Sequence, residues 1–360
     1  MHNKFFRYIT ILAVIAALLA CPTTVMAADN EQPQVLTLEQ ATNIALQHSP
    51  SLKTAVLDID KAENQKEDAT DAVEMLDTSP VNAPYANTAG LATYSAYLQA
   101  NMGYEAAKKN VTTTTDQIKL DMYDKYYAVV EAIAQVKSCE KNLVRDERQN
   151  RVTQAMKLAG LTTDADAEKV RTAYLSSKTS LDSANKSLES AWKNFNLALG
   201  SKQVKKYALE DPKWQTIELG TVESEITKAL NSSTDLWKVQ MAAEIADQTK
   251  YLTDSNEISS VQAGYTVEST KNALTQSASS AYWSLISMEE QKPVLEKSIS
   301  VSETSLKTAN LRYKLGVGTY LEVLQAEASL ESAKNQLLNV ECQHAALVAK
   351  YIILTGRTLK

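Results

Sequence analysis

The chain has 360 residues, a formal net charge of −6, and only 9 glycines, 7 prolines and 3 cysteines. An acidic chain without a basic cluster does not fit nucleic-acid binding, which needs Lys and Arg to neutralise phosphates. Because Gly and Pro interrupt regular elements and are scarce here, the composition favours long helices over sheets.

The first 27 residues have the layout of a secretory signal peptide. Lys4 and Arg7 precede an apolar run over residues 9–19, and small side chains suit cleavage after Ala27. The run is too short to cross a membrane as a helix. A second interpretation is lipoprotein cleavage, which would leave an acylated anchor at Cys21. In both cases we expect an exported chain without a transmembrane helix in its mature part. Loss of the two basic residues changes its charge from −6 to −8.

Two stretches of the chain align with each other, which indicates a tandem duplication. A displacement of 156 residues brings Gly160 onto Gly316, and a displacement of 184 brings residues 45–52 onto 229–236. The first copy therefore carries 28 additional residues, which we place between about 66 and 110. The predicted organisation is a signal peptide (1–27), a first helical repeat (28–200), a linker (201–220) and a second helical repeat (221–360).

Each repeat contains long helical patterns. Apolar or small side chains recur at spacings of three and four over residues 167–198, 274–313 and 323–354. Cys139 and His344 take inward positions, where we expect a small buried residue and a hydrogen-bonded core histidine. The pattern predicts an all-α protein of long, coiled-coil-like antiparallel hairpins with little or no β structure. The inward stripes are thin, so such hairpins need lateral neighbours and we expect oligomerisation.

Glycines separate the paired helices, at Gly160 in the first repeat and at Gly316 and Gly318 in the second. Glycine readily adopts the left-handed backbone that ends a helix, so we expect these residues to form two hairpin tips. Asp166 and Glu322 each follow a tip glycine by six residues. Where several copies of the chain stand around an axis, these carboxylates would form an acidic ring that attracts cations. Alternatively, they only occupy first helical turns, where negative charge is favourable.

Two segments of the sequence resemble the TolC-like outer-membrane efflux family. One is the opening stretch 36–52, and the other surrounds the second tip. The second set comprises Arg312, Tyr313, Gly316, Thr319, Leu321, Glu322, Val323, Leu324, Ala326, Leu330, Ala333 and Leu337, closed by Thr355 and Gly356. The resemblance implies a homotrimer whose hairpins form an α-helical barrel in the periplasm. It also implies two partners, a periplasmic adaptor (membrane fusion) protein and an inner-membrane pump.

The resemblance further assigns roles to the tips. The residues that would face the adaptor are Gly160, Leu161, Gly316, Val317 and Gly318. Asp166 and Glu322 would face the lumen near its constriction.

The membrane-spanning part departs from that family. Members that cross the outer membrane contribute pairs of β-hairpins, but here only residues 91–104 and 261–267 offer strand-like alternation. We therefore expect a divergent member without a complete β-barrel insertion. Residues 76–92 are expected to form a shortened loop, and residues 236–285 a nearly continuous helix.

Two functions remain open from the sequence. The first is a TolC-like, non-enzymatic efflux-duct component that passes small solutes or secreted substrates. The second is a non-conducting helical scaffold of the cell envelope. An adaptor-type protein would need glycine-rich β domains, which residues 28–60 and 200–225 do not encode. Because the sequence shows no catalytic triad, phosphate-binding loop or metal cluster, we expect neither an enzyme nor a cofactor or metal site.

Overall fold

The computed structural model describes residues 35–76, 88–250 and 254–358. The signal peptide and Cys21 lie outside these residues. Within them, the only strands form a two-stranded parallel pair, β1 (Val35–Leu36) with β2 (Ala208–Leu209). The helices are α1 (Leu38–His48), α2 (Pro50–Glu74), α3 (Thr88–Leu158), α4 (Asp164–Ala198), α5 (Val222–Ser232), α6 (Thr234–Thr249), α7 (Asp254–Lys314) and α8 (Tyr320–Leu354). The predicted all-α class with almost no β structure is confirmed.

The helix ends in the two halves correspond by the displacements found in the sequence. α3 ends at Leu158 and α7 ends 156 residues later at Lys314, while α4 and α8 each have 35 residues. α1 and α5 each have 11 residues and begin 184 residues apart, after the threonine caps Thr37 and Thr221. We infer that the halves are copies of one unit, with the repeat boundaries proposed from the sequence.

The additional residues of the first copy lengthen the helices on both sides of one connection. α2 has 25 residues where α6 has 16, and α3 has 71 where α7 has 61. Since α3 is helical from Thr88, residues 91–104 are not a strand, and their alternation reflects composition. The loop predicted at 76–92 therefore ends earlier than expected, and residues 77–87 lie outside the described chain.

The nearly continuous helix predicted over residues 236–285 is wrong, because α6 and α7 pack against each other as separate helices. Their facing ends are joined by hydrogen bonds. The Asn256 side-chain amide donates to the Thr249 carbonyl at 3.1 Å, and the Ser260 hydroxyl donates to the Asp247 carboxylate at 3.5 Å. The pattern of apolar spacing continues across this reversal, so spacing alone did not reveal it.

Three pairings organise the long helices: α3 with α4, α7 with α8, and α3 with α8. The first two are the predicted hairpins, and the third joins one copy to the other. At 1.5 Å per residue, α3 alone is about 107 Å long. The joint between α3 and α8 includes three polar pairs, Gln135 with Asn335 at 2.8 Å, Lys137 with Glu331 at 2.9 Å and Lys141 with Glu327 at 3.2 Å.

The main core lies where the first copy's short elements cross its long helices. Tyr126 and Phe195 are 1% and 0% exposed, and their rings meet edge to face at 6.0 Å. The Tyr126 hydroxyl donates to the Leu36 carbonyl at 3.0 Å and accepts from the Glu210 backbone amide at 2.7 Å. This one side chain therefore ties β1 and the linker to the middle of α3.

The inward face predicted for α4 is confirmed, but α8 has two buried faces. Val323 and Tyr351 are buried as predicted, while Leu324, Cys342 and Ala349 belong to a second buried stripe. Cys342 on that stripe joins the core formed with α3. By length and composition alone α8 is apolar enough to cross a membrane. Packing on two sides accounts for the same composition.

Candidate functional site at the hairpin tips

The first tip is closed by a Schellman motif, the hydrogen-bonded helix end that requires a left-handed residue. Gly160 has φ +70°, its amide donates to the Lys157 carbonyl at 3.0 Å, and the Leu161 amide donates to the Met156 carbonyl at 2.8 Å. A Cβ on Gly160 would meet no atom within 4 Å, so backbone conformation rather than space selects glycine. The chain then enters α4 through the N-cap Thr163.

The second tip repeats this geometry. Gly316 has φ +73°, its amide donates to the Tyr313 carbonyl at 3.0 Å, and the Val317 amide donates to the Arg312 carbonyl at 3.0 Å. Gly318 has a different reason to be glycine, because a Cβ there would lie 2.9 Å from the Arg312 Cβ. The three predicted tip glycines are therefore all at the reversals, but for two distinct physical reasons.

The two predicted acidic residues are both third residues of their helices and interact with the cap. The Thr163 hydroxyl accepts from the Asp166 amide at 3.1 Å and donates to its carboxylate at 2.7 Å. The Thr319 hydroxyl accepts from the Glu322 amide at 3.2 Å and lies 3.4 Å from its carboxylate. Both acids therefore lie in the first turn of a helix, where a negative charge is favourable, as one of the two interpretations predicted. A lumen-facing role involves other copies of the chain and remains a prediction.

Each tip also carries one nearby cation on the helix that enters it. Lys157 Nζ lies 3.1 Å from an Asp164 carboxylate oxygen at the first tip, and an Arg312 guanidinium nitrogen lies 3.8 Å from the Glu322 carboxylate at the second. Within the described residues, Asp166 and Glu322 make no contact with each other. The structure of one chain therefore does not bring the two predicted acids together.

Large apolar side chains project from both tips into solvent. Leu161 and Val317, which directly follow the left-handed glycines, are 71% and 67% exposed. Leu158 and Leu315, which precede them, are 90% and 70% exposed. Leu161 and Val317 were predicted tip residues, whereas Leu158 and Leu315 were not. An apolar residue before a tip glycine, at a position off the inward stripe, was the available signal.

The predicted core histidine lies far along α8 from the tips. His344 is 1% exposed and stacks on Trp214 of the linker, with ring centroids 3.6 Å apart and planes at 9°. Burial, with a further contribution from the charge of Lys292, lowers the pKa of His344 to about 4. Contrary to the expected hydrogen bond, its Nδ1 has no partner in the described chain. Stacking therefore replaces hydrogen bonding in holding this ring, and the described residues offer no cluster able to bind a metal.

Most of the second half of the chain matches a known protein family. Residues 222–350 match the family described as outer membrane efflux protein, starting at the first residue of α5. The match spans all four helices of the second copy, up to the last turn of α8. No curated protein sequence matches the chain.

Solved structures of outer-membrane channels share the fold over nearly the whole chain. The similarity to CusC has a TM-score of 0.68 at 14% identity and covers 94% of this chain and 97% of CusC. VceC from Vibrio cholerae gives 0.65 at 16% identity, covering 90% and 97%, and the Campylobacter jejuni CmeC outer membrane channel gives 0.63 at 12%, covering 93% of each. The resemblance to the outer-membrane efflux family is confirmed, and at these identities the structural matches establish the fold.

Proposed function

We propose that this chain, which carries an outer membrane efflux protein domain over residues 222–350, is the duct component of a tripartite export system. The observation that carries the proposal is that both copies end in tips of one construction on long helical hairpins. In this proposal the exported protein acts at the outer membrane and in the periplasm as a homotrimer. It passes small solutes or secreted substrates and catalyses no reaction, in keeping with a family and a fold that belong to channels.

The tips are proposed to bind a periplasmic adaptor protein, which couples the duct to an inner-membrane pump. Each tip presents one exposed apolar side chain after a left-handed glycine, Leu161 in one and Val317 in the other. A second exposed apolar side chain lies within three residues at each tip, Leu158 at the first and Leu315 at the second, and clustered exposed apolar side chains are typical of protein contact sites. Because two tips per chain are built alike, three chains would present six similar sites around the end of the duct.

Asp166 and Glu322 are proposed to line the lumen near those tips. Their amides are capped by threonine, but Asp166 is exposed and Glu322 half-exposed, so both carboxylates remain able to act on passing ions. Six such groups in a ring would attract cations and repel anions. The Arg312 guanidinium 3.8 Å from Glu322 would partly neutralise the second position, leaving Asp166 as the stronger contributor.

Conductance in planar lipid bilayers tests the duct. The native chain should conduct with a preference for cations, and the double variant Asp166→Asn, Glu322→Gln should conduct with that preference reduced. Asn and Gln can still accept the hydrogen bond from threonine, so the caps are kept. Asp235→Asn, another first-turn acid outside the tips, is the matched control and should leave selectivity unchanged. Absence of any conductance would instead favour the non-conducting scaffold.

Binding to the organism's periplasmic adaptor tests the tips separately. Leu161→Asp together with Val317→Asp should weaken adaptor binding at least tenfold in surface plasmon resonance, because charge replaces the exposed apolar contacts. Val204→Asp is the control, since Val204 is 51% exposed but lies in the linker. Equal binding by the tip variant and the control would contradict the assignment of the tips. Helical content measured by circular dichroism should be the same in all three proteins.

A further inference from the structure

One contact between the two copies pairs a cation with an aromatic ring. The Lys109 ammonium on α3 lies 5.0 Å from the centroid of the Trp237 ring on α6. This contact lies where α3 and α6 pack against each other, on the part of α3 nearer to its start than to the first tip. It joins α3 of the first repeat to α6 of the second repeat.

In the other repeat, the position equivalent to the lysine holds an aromatic residue, and the position equivalent to the tryptophan holds a lysine. A displacement of 156 takes Lys109 to Tyr265 on α7, and a displacement of 184 takes Trp237 to Lys53 on α2. The pair is thus inverted: the aromatic ring lies on the long helix and the cation on the short one. Tyr265 is 68% exposed, Lys53 is exposed, and neither side chain has a partner among the described residues.

Exposed apolar side chains lie beside Tyr265 on α7 and beside Lys53 on α2. On α7, Ile258 and Val261 are 61% and 54% exposed and share one helical face with Tyr265 at spacings of three and four. On α2, Leu57 is 66% exposed and lies one turn beyond Lys53. Their counterparts at the joint between α3 and α6 include Met102 and Met241, neither of which is among the exposed apolar residues. The chain therefore partly covers the apolar side chains at one version of this joint and leaves those at both halves of the other exposed.

We propose that α7 of one copy of this chain packs on α2 of a second copy, in the register of α3 on α6, with Tyr265 against Lys53 of that copy. The occupant is a second copy because both complementary halves belong to one chain and the internal joint supplies the template. Two different faces meet, so the contact is heterologous and repeats around a ring. This inference rests on the proposed assembly of several copies, but not on conduction.

Cysteine cross-linking tests the register. Lys53→Cys with Tyr265→Cys, treated with a short bismaleimide, should give covalent multimers on denaturing gels. Lys109→Cys with Trp237→Cys is the matched control, because it joins the equivalent positions within one chain and should give monomers only. The native chain is the blank, since Cys139 and Cys342 are both buried. A mixture of the two single variants should give dimers and nothing larger.

Reconstructing the internal pair provides an independent test. Tyr265→Lys places two cations opposite each other and should raise the dissociation constant of the assembly about 2- to 5-fold or more, the range expected for an exposed cation–π pair. Adding Lys53→Trp recreates the arrangement of Lys109 and Trp237 and should restore it. Analytical ultracentrifugation measures both changes.

Three results would overturn the proposal. Dimers formed by Tyr265→Cys alone would show a twofold contact between like faces. Assemblies of defined mass in which positions 53 and 265 fail to link, while 109 and 237 link, would refute this register and leave the proposed duct intact. A chain that remains monomeric at all concentrations would refute both this contact and the proposed trimeric duct.

Discussion

A buried carboxylate in the second repeat tests how much its hydrogen bonds contribute to the free energy of unfolding. Glu225 is 1% exposed and accepts hydrogen bonds from Lys228 at 2.7 Å, the Tyr351 hydroxyl at 2.8 Å, Arg357 at 2.9 Å and the Gly220 amide at 3.3 Å. Glu225→Ala leaves the Tyr351 hydroxyl buried without an acceptor, which costs about 1–3 kcal/mol. Loss of the two cationic partners adds about 1 kcal/mol, since both side chains are partly exposed to water. We therefore expect a total loss of about 2–4 kcal/mol.

The first copy provides the control, because Ala41 and Phe195 occupy the same two positions there and both are 0% exposed. Combining Glu225→Ala with Tyr351→Phe removes the hydroxyl that needs an acceptor. The double variant should therefore be more stable, by about 1–3 kcal/mol, than the sum of the two single losses predicts. Urea unfolding followed by circular dichroism at one fixed protein concentration measures all three variants, since assembly contributes to apparent stability. Losses that simply add, within about 0.5 kcal/mol, would refute the reasoning.

Three further predictions use single positions. Gly160→Ala should destabilise the protein by about 1 kcal/mol, because a residue with a Cβ is strained at the φ of +70°. Gly103→Ala, within α3, should instead stabilise it by about 0.5–1 kcal/mol, since alanine is the better helix former and its Cβ meets no other atom there. Thermal unfolding compares the two variants, and equal changes in their melting temperatures would contradict the conformational argument. The pKa of His344 is lowered to about 4, so the unfolded chain binds the extra proton between pH 6.5 and 4 and native stability falls there as pH falls. His344→Leu, which installs the first copy's residue, should remove that slope of up to about 1.4 kcal/mol per pH unit, and an unchanged slope would show that other groups cause it. Burial alone would raise the pKa of Glu225, but the hydrogen bonds that it accepts and the charge of Arg357 lower this pKa below 4.5. The stability that the ionised Glu225 contributes is therefore lost as pH falls through its native pKa. Glu225→Gln should flatten this acid limb of the stability profile, and a limb of unaltered steepness would exclude Glu225 as its source.

The helical architecture was predictable because its signals are repeated. The inward stripe of α4 is correct from Ala167 to Phe195, since this helix packs on one side only. The prediction for α8 found one buried face and missed the other, which includes Leu324 and Ala349. A helix buried on two sides has no single apolar stripe, so a period of three and four residues describes only one of its contacts. The reversal between α6 and α7 was missed for a related reason, because the apolar spacing runs through it.

At the tips, backbone chemistry was predictable, and the exposed apolar side chains were predicted only in part. Gly160 and Gly316 were identified because a left-handed residue must end each helix, and the threonine caps confirm the reversals. The exposure of Leu158 and Leu315 was missed, although both lie just before a tip glycine and off the inward stripe. The need for glycine at position 318 likewise comes from a close approach to another residue's side chain rather than from a turn.

The two hairpins have the same backbone plan but different seams. In the first, the Ser177 hydroxyl donates to the Asp146 carboxylate, and the buried Asn150 Oδ1 has no partner in the described chain. The second places Ala333 and Leu306 at the positions equivalent to Ser177 and Asn150. A buried polar atom without a partner costs about 1–3 kcal/mol, whereas an apolar pair there gains from burial. The second hairpin carries a buried oxygen without a partner in the described chain at a different position, Asn339 Oδ1 on α8, so two tips of one construction rest on seams whose polar groups lie at different places.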